Sequence, residues 1–282
     1  MQVKQKELYF LENQGDNMKL GFIGVGNMGG AILKGYLSAN GEKSADISIF
    51  DTSVEKTAEF TKAGCYACDN IGELVKRSDF IIIGVKPNIF EIVLPEIAKE
   101  YEASKVLVSI AAGITMSYIG GFVGKNAKVI RTMPNTPALV LEAMTAICRN
   151  GNITDDDMKS VENIFSQVGK IYEIPESLIH CAIGVSGSSP AYTYMYIDAL
   201  ATAAEENGLD RQQALVCAAQ SVLGAAKMVL EGDVDPVQLR INVCSPGGTT
   251  IEAVQKLQES KFEEIVKDGF QAAVDKSKKM AE

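Results

Sequence analysis

The sequence predicts an α/β domain with a doubly wound, mainly parallel sheet, followed by an all-α domain. Three observations carry this. Short apolar strand patterns alternate with helical ones up to about residue 178, the rhythm of βαβ units covered by helices on both sides. One strand, Asp79–Val85 (DFIIIGV), is apolar throughout, as a strand buried on both faces is. Beyond residue 178 only long, Ala-rich helical periodicity remains.

In chain order, residues 1–17 are polar, lack the apolar core of a signal peptide and read as an extension without a role in the fold. Lys19–Ile23 is a strand running into glycines, and Met28–Ala39 has helical spacing through Met28, Ile32, Leu33, Tyr36 and Leu37. Asp46–Phe50 is a second strand, Val54–Ala63 a helix and Asp79–Val85 a strand stopped by Pro87. Asn88–Lys99 is helical, and Lys105–Ile110 and Lys128–Arg131 are strands. The helical part comprises Ser189–Asn207, Arg211–Glu231, Thr249–Glu259 and Phe262–Met280. The expected division is an extension over 1–17, a dinucleotide-type domain over 18–178 and a helical domain over 179–282. Helix Ser189–Asn207 is apolar on most faces, which points to burial on several sides and to a partner subunit; packing on its own first domain is the alternative.

The chain has 282 residues, is 46% hydrophobic and carries a net charge of −9. It can bury a sizeable core. With no Lys/Arg-rich run, neither nucleic acid nor an anionic membrane is an expected partner. The longest uncharged apolar stretches are interrupted by Gly, Ser or Pro, and none is read as crossing a bilayer. Of six cysteines, Cys65 and Cys68 form a C-x-x-C, but there is no second such pair and the only histidine, His180, is far away in sequence. No metal site is expected; structural thiols are favoured over a redox dithiol, and the location expected is cytoplasmic.

Gly24, Gly26 and Gly29 (GVGNMG) have G-x-G-x-x-G spacing after a strand and before a helix, the context in which that spacing signals a dinucleotide cradle. The first glycine makes the tight turn, the second admits a pyrophosphate, and the third lets helix and strand pack closely. The pyrophosphate then meets the free N–H groups and positive end of the helix. Asp51 ends the second strand, 22 residues after Gly29, where a carboxylate commonly holds a ribose 2′-hydroxyl and favours NAD over NADP. Thr52, Ser53 and Lys56 could instead offer donors to a 2′-phosphate, and Asp51 could equally cap the helix near Val54. Lys86 sits at the C-terminal end of its strand, beside the crevice where such sheets bind ligands; a solvated surface lysine is the other reading. Small residues at Ile110–Gly113 leave room for a flat ring.

Cys244–Thr250 (CSPGGTT) leads into a helical pattern. Ser245 and Pro246 look like an N-cap and first helical residue, or the turn before them. Gly247 and Gly248 bare backbone N–H groups, and Thr249 and Thr250 add hydroxyls, making an uncharged anion site suited to a carboxylate; plain capping is the simpler alternative. Residues 171–226 contain no lysine, and His180 lies in an apolar run where a satisfied core or hinge role is expected. Acid–base power for alcohol oxidation is therefore scarce. Hydride addition to a protonated C=N needs less, because the amine product keeps its proton.

Taken together, GFIGVGNMGGAI, Val85–Pro87, VSIAAGIT at Val108–Thr115, RTMPNTPALV at Arg131–Val140, GVSGSSPAY at Gly184–Tyr192 and VCSPGGTTIEAV at Val243–Val254 resemble pyrroline-5-carboxylate reductase from Met18 to near the C-terminus. The Gly-rich turn is shared with many reductases; MPNTPA and SPGGTT in one chain are far more specific. The resemblance implies a Rossmann domain, a helical domain that dimerises by interlocking helices, dimers that can build larger rings, and reduction of 1-pyrroline-5-carboxylate to L-proline by NADPH or NADH. It further implies cofactor contacts from Ile23, Gly24, Val25, Gly26, Asn27, Met28 and Gly29, from Asn70, from Gly84, Val85, Lys86 and Pro87, and from Ile110, Ala111 and Ala112. Pro134 and Asn135 would shape the floor near the nicotinamide. Ser245 and the backbone at Thr249 and Thr250, with Gly247 and Gly248, would hold the substrate carboxylate. The Thr250 hydroxyl would face the ring nitrogen as the catalytic group, and Asn242 would support the loop. Two departures stand out: the extra residues 1–17, and Asp51 where Ser or Thr is common, which bears on the usual NADPH preference. The rival expectations are a hydroxyacid or 6-phosphogluconate-type dehydrogenase, against which the missing lysine counts, and a non-catalytic dinucleotide sensor, which an intact SPGGTT disfavours.

Overall fold

The computed structural model describes residues 18–40 and 46–281; the extension expected over 1–17 lies outside the described residues. The chain forms two compact units. One runs to Gly187 and takes back Val274 onward; the other is Ser188–Ala273.

The first unit is a Rossmann-type α/β domain. Its eight strands are β1 (Leu20–Ile23), β2 (Ile47–Phe50), β3 (Tyr66–Ala67), β4 (Phe80–Ile83), β5 (Val106–Ser109), β6 (Lys128–Met133), β7 (Ala143–Arg149) and β8 (Gly169–Glu173), in the order β3-β2-β1-β4-β5-β6-β7-β8. All neighbouring pairs are parallel except β6–β7. β1, β4 and β5 are buried almost end to end because helices cover both faces: Phe22, Ile32 and Ile82 fill one layer, Ile81, Leu94 and Leu107 the other. The order reverses between β1 and β4, so a crevice opens at their C-terminal ends, where open α/β sheets bind ligands.

Three strands have no counterpart in the periodicity reading. β3 is two residues long. β7 (AMTAICR) mixes small Ala, Thr and Cys with Met and Ile and is buried on both faces without apolar/polar alternation, and β8 (GKIYE) is an edge strand whose Tyr172 and Glu173 are exposed. Cys65, Cys68 and Cys148 are buried free thiols, and burial pushes each up to about 11. At neutral pH such thiols hold no nucleophilic thiolate, which favours the structural reading of the C-x-x-C.

The second unit is all helix. Ser189–Glu206 and Arg211–Glu231 pack on each other, and Arg211 joins them through Asp198 and Thr202. Arg211–Glu231 is long and apolar enough to cross a membrane by length and composition; Arg211, Lys227 and Glu231 keep it from being an uncharged stretch in the sequence. Tyr194, Met195, Val216, Leu223 and Met228 are all exposed in the single chain. Such a surface marks an interaction site.

Candidate active site

β1 ends at Ile23 and the helix Asn27–Asn40 begins four residues later, its first backbone bond accepted by the carbonyl of Gly26 from Gly30. Gly24 adopts φ +90°, a left-handed conformation that disfavours any Cβ. A Cβ on Gly29 would stand 2.3 Å from the Gly24 carbonyl oxygen, and one on Gly84 2.7 Å from the same atom. Three backbones thus meet without side chains between them. A Cβ on Gly26 would meet nothing within 4 Å. The turn is tight where chain packs on chain and open at its middle glycine, which is the division of labour a pyrophosphate cradle needs; the residues present fit a dinucleotide.

Asp51 follows β2. Its Oδ2 accepts the Val25 N–H at 3.0 Å and its Oδ1 the Ser53 N–H at 2.9 Å. It is not the cap of the next helix: Ser53 is, its hydroxyl accepting the Lys56 N–H. Thr52 is exposed. Asn70 caps the helix Ile71–Arg77, its Oδ1 accepting the Glu73 N–H, which leaves its amide hydrogens available. Gly84 donates its N–H to Ile23, Val85 packs beside Gly24, and Lys86 is exposed just before the turn at Pro87. Ile110 and Ala111 are buried and Ala112 half-buried at the end of β5. Because β1, β2, β4, β5 and β6 are parallel, all these groups, with Pro134 and Asn135, share one edge of the sheet.

Asn135 is 8% exposed and spent at both ends. Its amide donates to the Ser186 carbonyl at 3.0 Å, and its Oδ1 accepts the Met144 N–H at 2.9 Å. It ties MPNTPA to the π-helical segment Ile183–Gly187, a link no spacing in the sequence signals. Arg131, 2% exposed, donates to Glu176 Oε1 at 3.0 Å, and the same oxygen accepts the Met116 N–H at 2.9 Å. His180 meets the Ser277 hydroxyl at 2.8 Å. Burial first, then the Arg131 charge, lowers the His180 pKa, which favours the neutral imidazole.

Asn242 and the run Ser245–Thr250 lie in the helical unit. Asn242 accepts from the Gln238 side chain. The helix starts at Thr249 with Gly248 as N-cap and no side-chain cap bond, so Ser245 and Pro246 occupy the turn before the helix and not its N-cap and first position. That turn is closed by the Gly248 N–H on the Ser245 carbonyl, and Gly247 sits at φ +69° with open space around it. Ser245 and Thr249 are exposed and Thr250 half-buried. The first-turn N–H groups and three hydroxyls are therefore concentrated at a positive helix end.

Residues 176–280 match the family model for pyrroline-5-carboxylate reductase dimerisation, and residues 19–113 match the model described as NADP oxidoreductase coenzyme F420-dependent. The chain is 43% identical to the pyrroline-5-carboxylate reductase of Escherichia coli over 93% of its own length and 98% of that protein. It is 36% identical to human pyrroline-5-carboxylate reductase 2, over 91% and 82%. Among solved structures, the Plasmodium falciparum pyrroline carboxylate reductase with NADP bound superposes with a TM-score of 0.85 at 35% identity, covering 94% of this chain and 99% of that one. The Coxiella burnetii enzyme gives 0.89 at 32%, covering 95% and 100%.

Proposed function

The chain belongs to the pyrroline-5-carboxylate reductase family, and from that premise we propose which of its residues carry the reaction. The protein is an NAD(P)H-dependent oxidoreductase that reduces pyrroline-5-carboxylate in proline biosynthesis; neither the hydroxyacid dehydrogenase nor the sensor reading is favoured. Gly24, Gly26 and Gly29 cradle the dinucleotide pyrophosphate at the start of helix Asn27–Asn40. Ile23, Val25, Asn27 and Met28 flank it, with Asn70 and Gly84–Pro87 lining the rest and Ile110–Ala112 forming a small-residue wall. Asn135 holds Pro134 and its loop in place through the Ser186 carbonyl and Met144 N–H. Bound there, the reduced cofactor supplies a hydride.

The substrate carboxylate is held by the Ser245 hydroxyl and by the N–H groups of Thr249 and Thr250, with Gly247 and Gly248 keeping the approach free of side chains. Bonds to an ionised acceptor are shorter and stronger than neutral ones. The Thr250 Oγ1 accepts the N–H of the protonated ring nitrogen and orients the C=N; the nitrogen keeps its proton in the product, so no lysine or imidazole is required. Asn242 steadies the loop from the preceding helix. The observation that carries this assignment is the bare helix start at Thr249, capped by no side chain. Thr250→Val should lower kcat/KM by roughly tenfold to a hundredfold, about 1.4–2.7 kcal/mol, with circular dichroism unchanged. Wild-type kinetics from the folded variant would remove Thr250 from the mechanism.

A homodimer through the helical unit follows from the matched dimerisation domain and explains the exposed Met195, Val216 and Met228; a larger ring of such dimers belongs to the same reading. The acidic charge of −9 supports the absence of a nucleic-acid or membrane partner, and the free cysteines suit the reducing cytoplasm.

A further inference from the structure

An ionised carboxylate only accepts hydrogen bonds. Asp51 stands at the C-terminal end of β2, its side chain 10% exposed, pinned by the Val25 N–H of the glycine turn and the Ser53 N–H. It cannot swing away without releasing both. At this place a dinucleotide-binding βαβ unit reads the adenosine ribose: an acidic residue takes the 2′-hydroxyl, whereas a nearby arginine accommodates a 2′-phosphate. No arginine occurs in the segment Asp51–Lys62 (DTSVEKTAEFTK). The Ser53 hydroxyl accepts the Lys56 N–H and keeps a single neutral hydrogen to donate, against the full charge of the carboxylate beside it. Lys56 Nζ lies 3.9 Å from Asp51 Oδ1 with its side chain half exposed, so its charge is partly answered by the carboxylate and screened by water. A ribose hydroxyl can donate to Asp51. A phosphate of charge near −2 cannot, and meets a fixed like charge.

Resting on the cofactor reading above, we propose that Asp51 makes the dinucleotide site of this chain selective for NADH over NADPH. The carboxylate has two tasks: it stiffens the glycine turn through Val25 and it excludes the 2′-phosphate. Direct binding separates them. Dissociation constants for NADH and NADPH, and for ADP-ribose and its 2′-phosphate, are measured by calorimetry on the wild type, Asp51→Asn and Asp51→Ser, with a thermal melt of each protein. Both ligands of a pair use the same cradle, so their affinity ratio cancels any loss of turn stiffness. The wild type should bind NADH and ADP-ribose at least about tenfold tighter than the phosphorylated partners, and both variants should shrink that ratio by about tenfold or invert it. If a variant fails to fold, the two wild-type ratios still decide. NADPH bound as tightly as NADH by the wild type, or ratios unmoved in folded variants, would overturn the proposal. Binding of neither nucleotide would instead overturn the cofactor site itself, and the proposal with it.

Discussion

Glu176→Ala should destabilise the α/β unit by about 3 kcal/mol, one of the largest losses available to a single substitution outside the hydrophobic layers. Arg131 is 2% exposed, and among the described residues its Nη2 has no hydrogen-bond partner. Glu176 Oε1 is the carboxylate oxygen facing Nη1. Removing it strands a buried guanidinium and also frees the Met116 N–H at the start of helix Met116–Val123. The lower end of the usual 3–5 kcal/mol applies because Glu176 keeps 29% side-chain exposure. In a unit of this size that corresponds to a fall in Tm of about 6–12 °C. Glu176→Gln, which keeps an acceptor, should fall between. Arg131→Met should cost less than Glu176→Ala, because the half-exposed carboxylate left behind can be hydrated. A Glu176→Ala melt within about 2 °C of wild type would show that the pair carries no net stability.

The second large effect separates two glycines only three residues apart. Gly29→Ala drives a Cβ to 2.3 Å from the Gly24 carbonyl oxygen, a backbone atom that cannot rotate aside. The helix Asn27–Asn40 must shift off β1, at a cost of about 1–3 kcal/mol in stability, and the turn loses its shape. Gly26→Ala meets no protein atom within 4 Å, so its Tm should match wild type. Both variants should nonetheless lose about a hundredfold or more in NAD(P)H affinity, about 2.7 kcal/mol, Gly26→Ala because its methyl occupies the path of the pyrophosphate. Calorimetric titration and a thermal melt of each variant check this. Wild-type binding by Gly26→Ala would mean that the pyrophosphate lies elsewhere.

What was legible in the sequence was what local pattern encodes. The strand–glycine–helix start at Leu20–Asn40, the continuous apolar run of β4 and the long helices after Ser189 each announce themselves within one window. β7 and β8 do not: one mixes small and large side chains with no alternation, and the other is an edge whose residues are all half-buried or exposed. Spacing also marked the bare helix start at Thr249, with Ser245 and Pro246 in the turn before it, the second of the two placements left open for them. Long-range pairings were out of reach. Nothing local says that Arg131 meets Glu176, that His180 meets Ser277 near the end of the chain, or that Asn135 reaches Ser186. Asp51 is the intermediate case. Its position suggested ribose contact or a cap, while its bond to Val25 exists only once β1 and β2 lie side by side.

The most direct test of the account is the stoichiometry of hydride transfer in the purified protein: NAD(P)H consumed against proline formed, with pyrroline-5-carboxylate as the only other reactant. One proline should form per reduced nicotinamide oxidised, and both signals should fall together in Gly26→Ala. No oxidation with this imine, alongside steady turnover of a hydroxy acid, would contradict it.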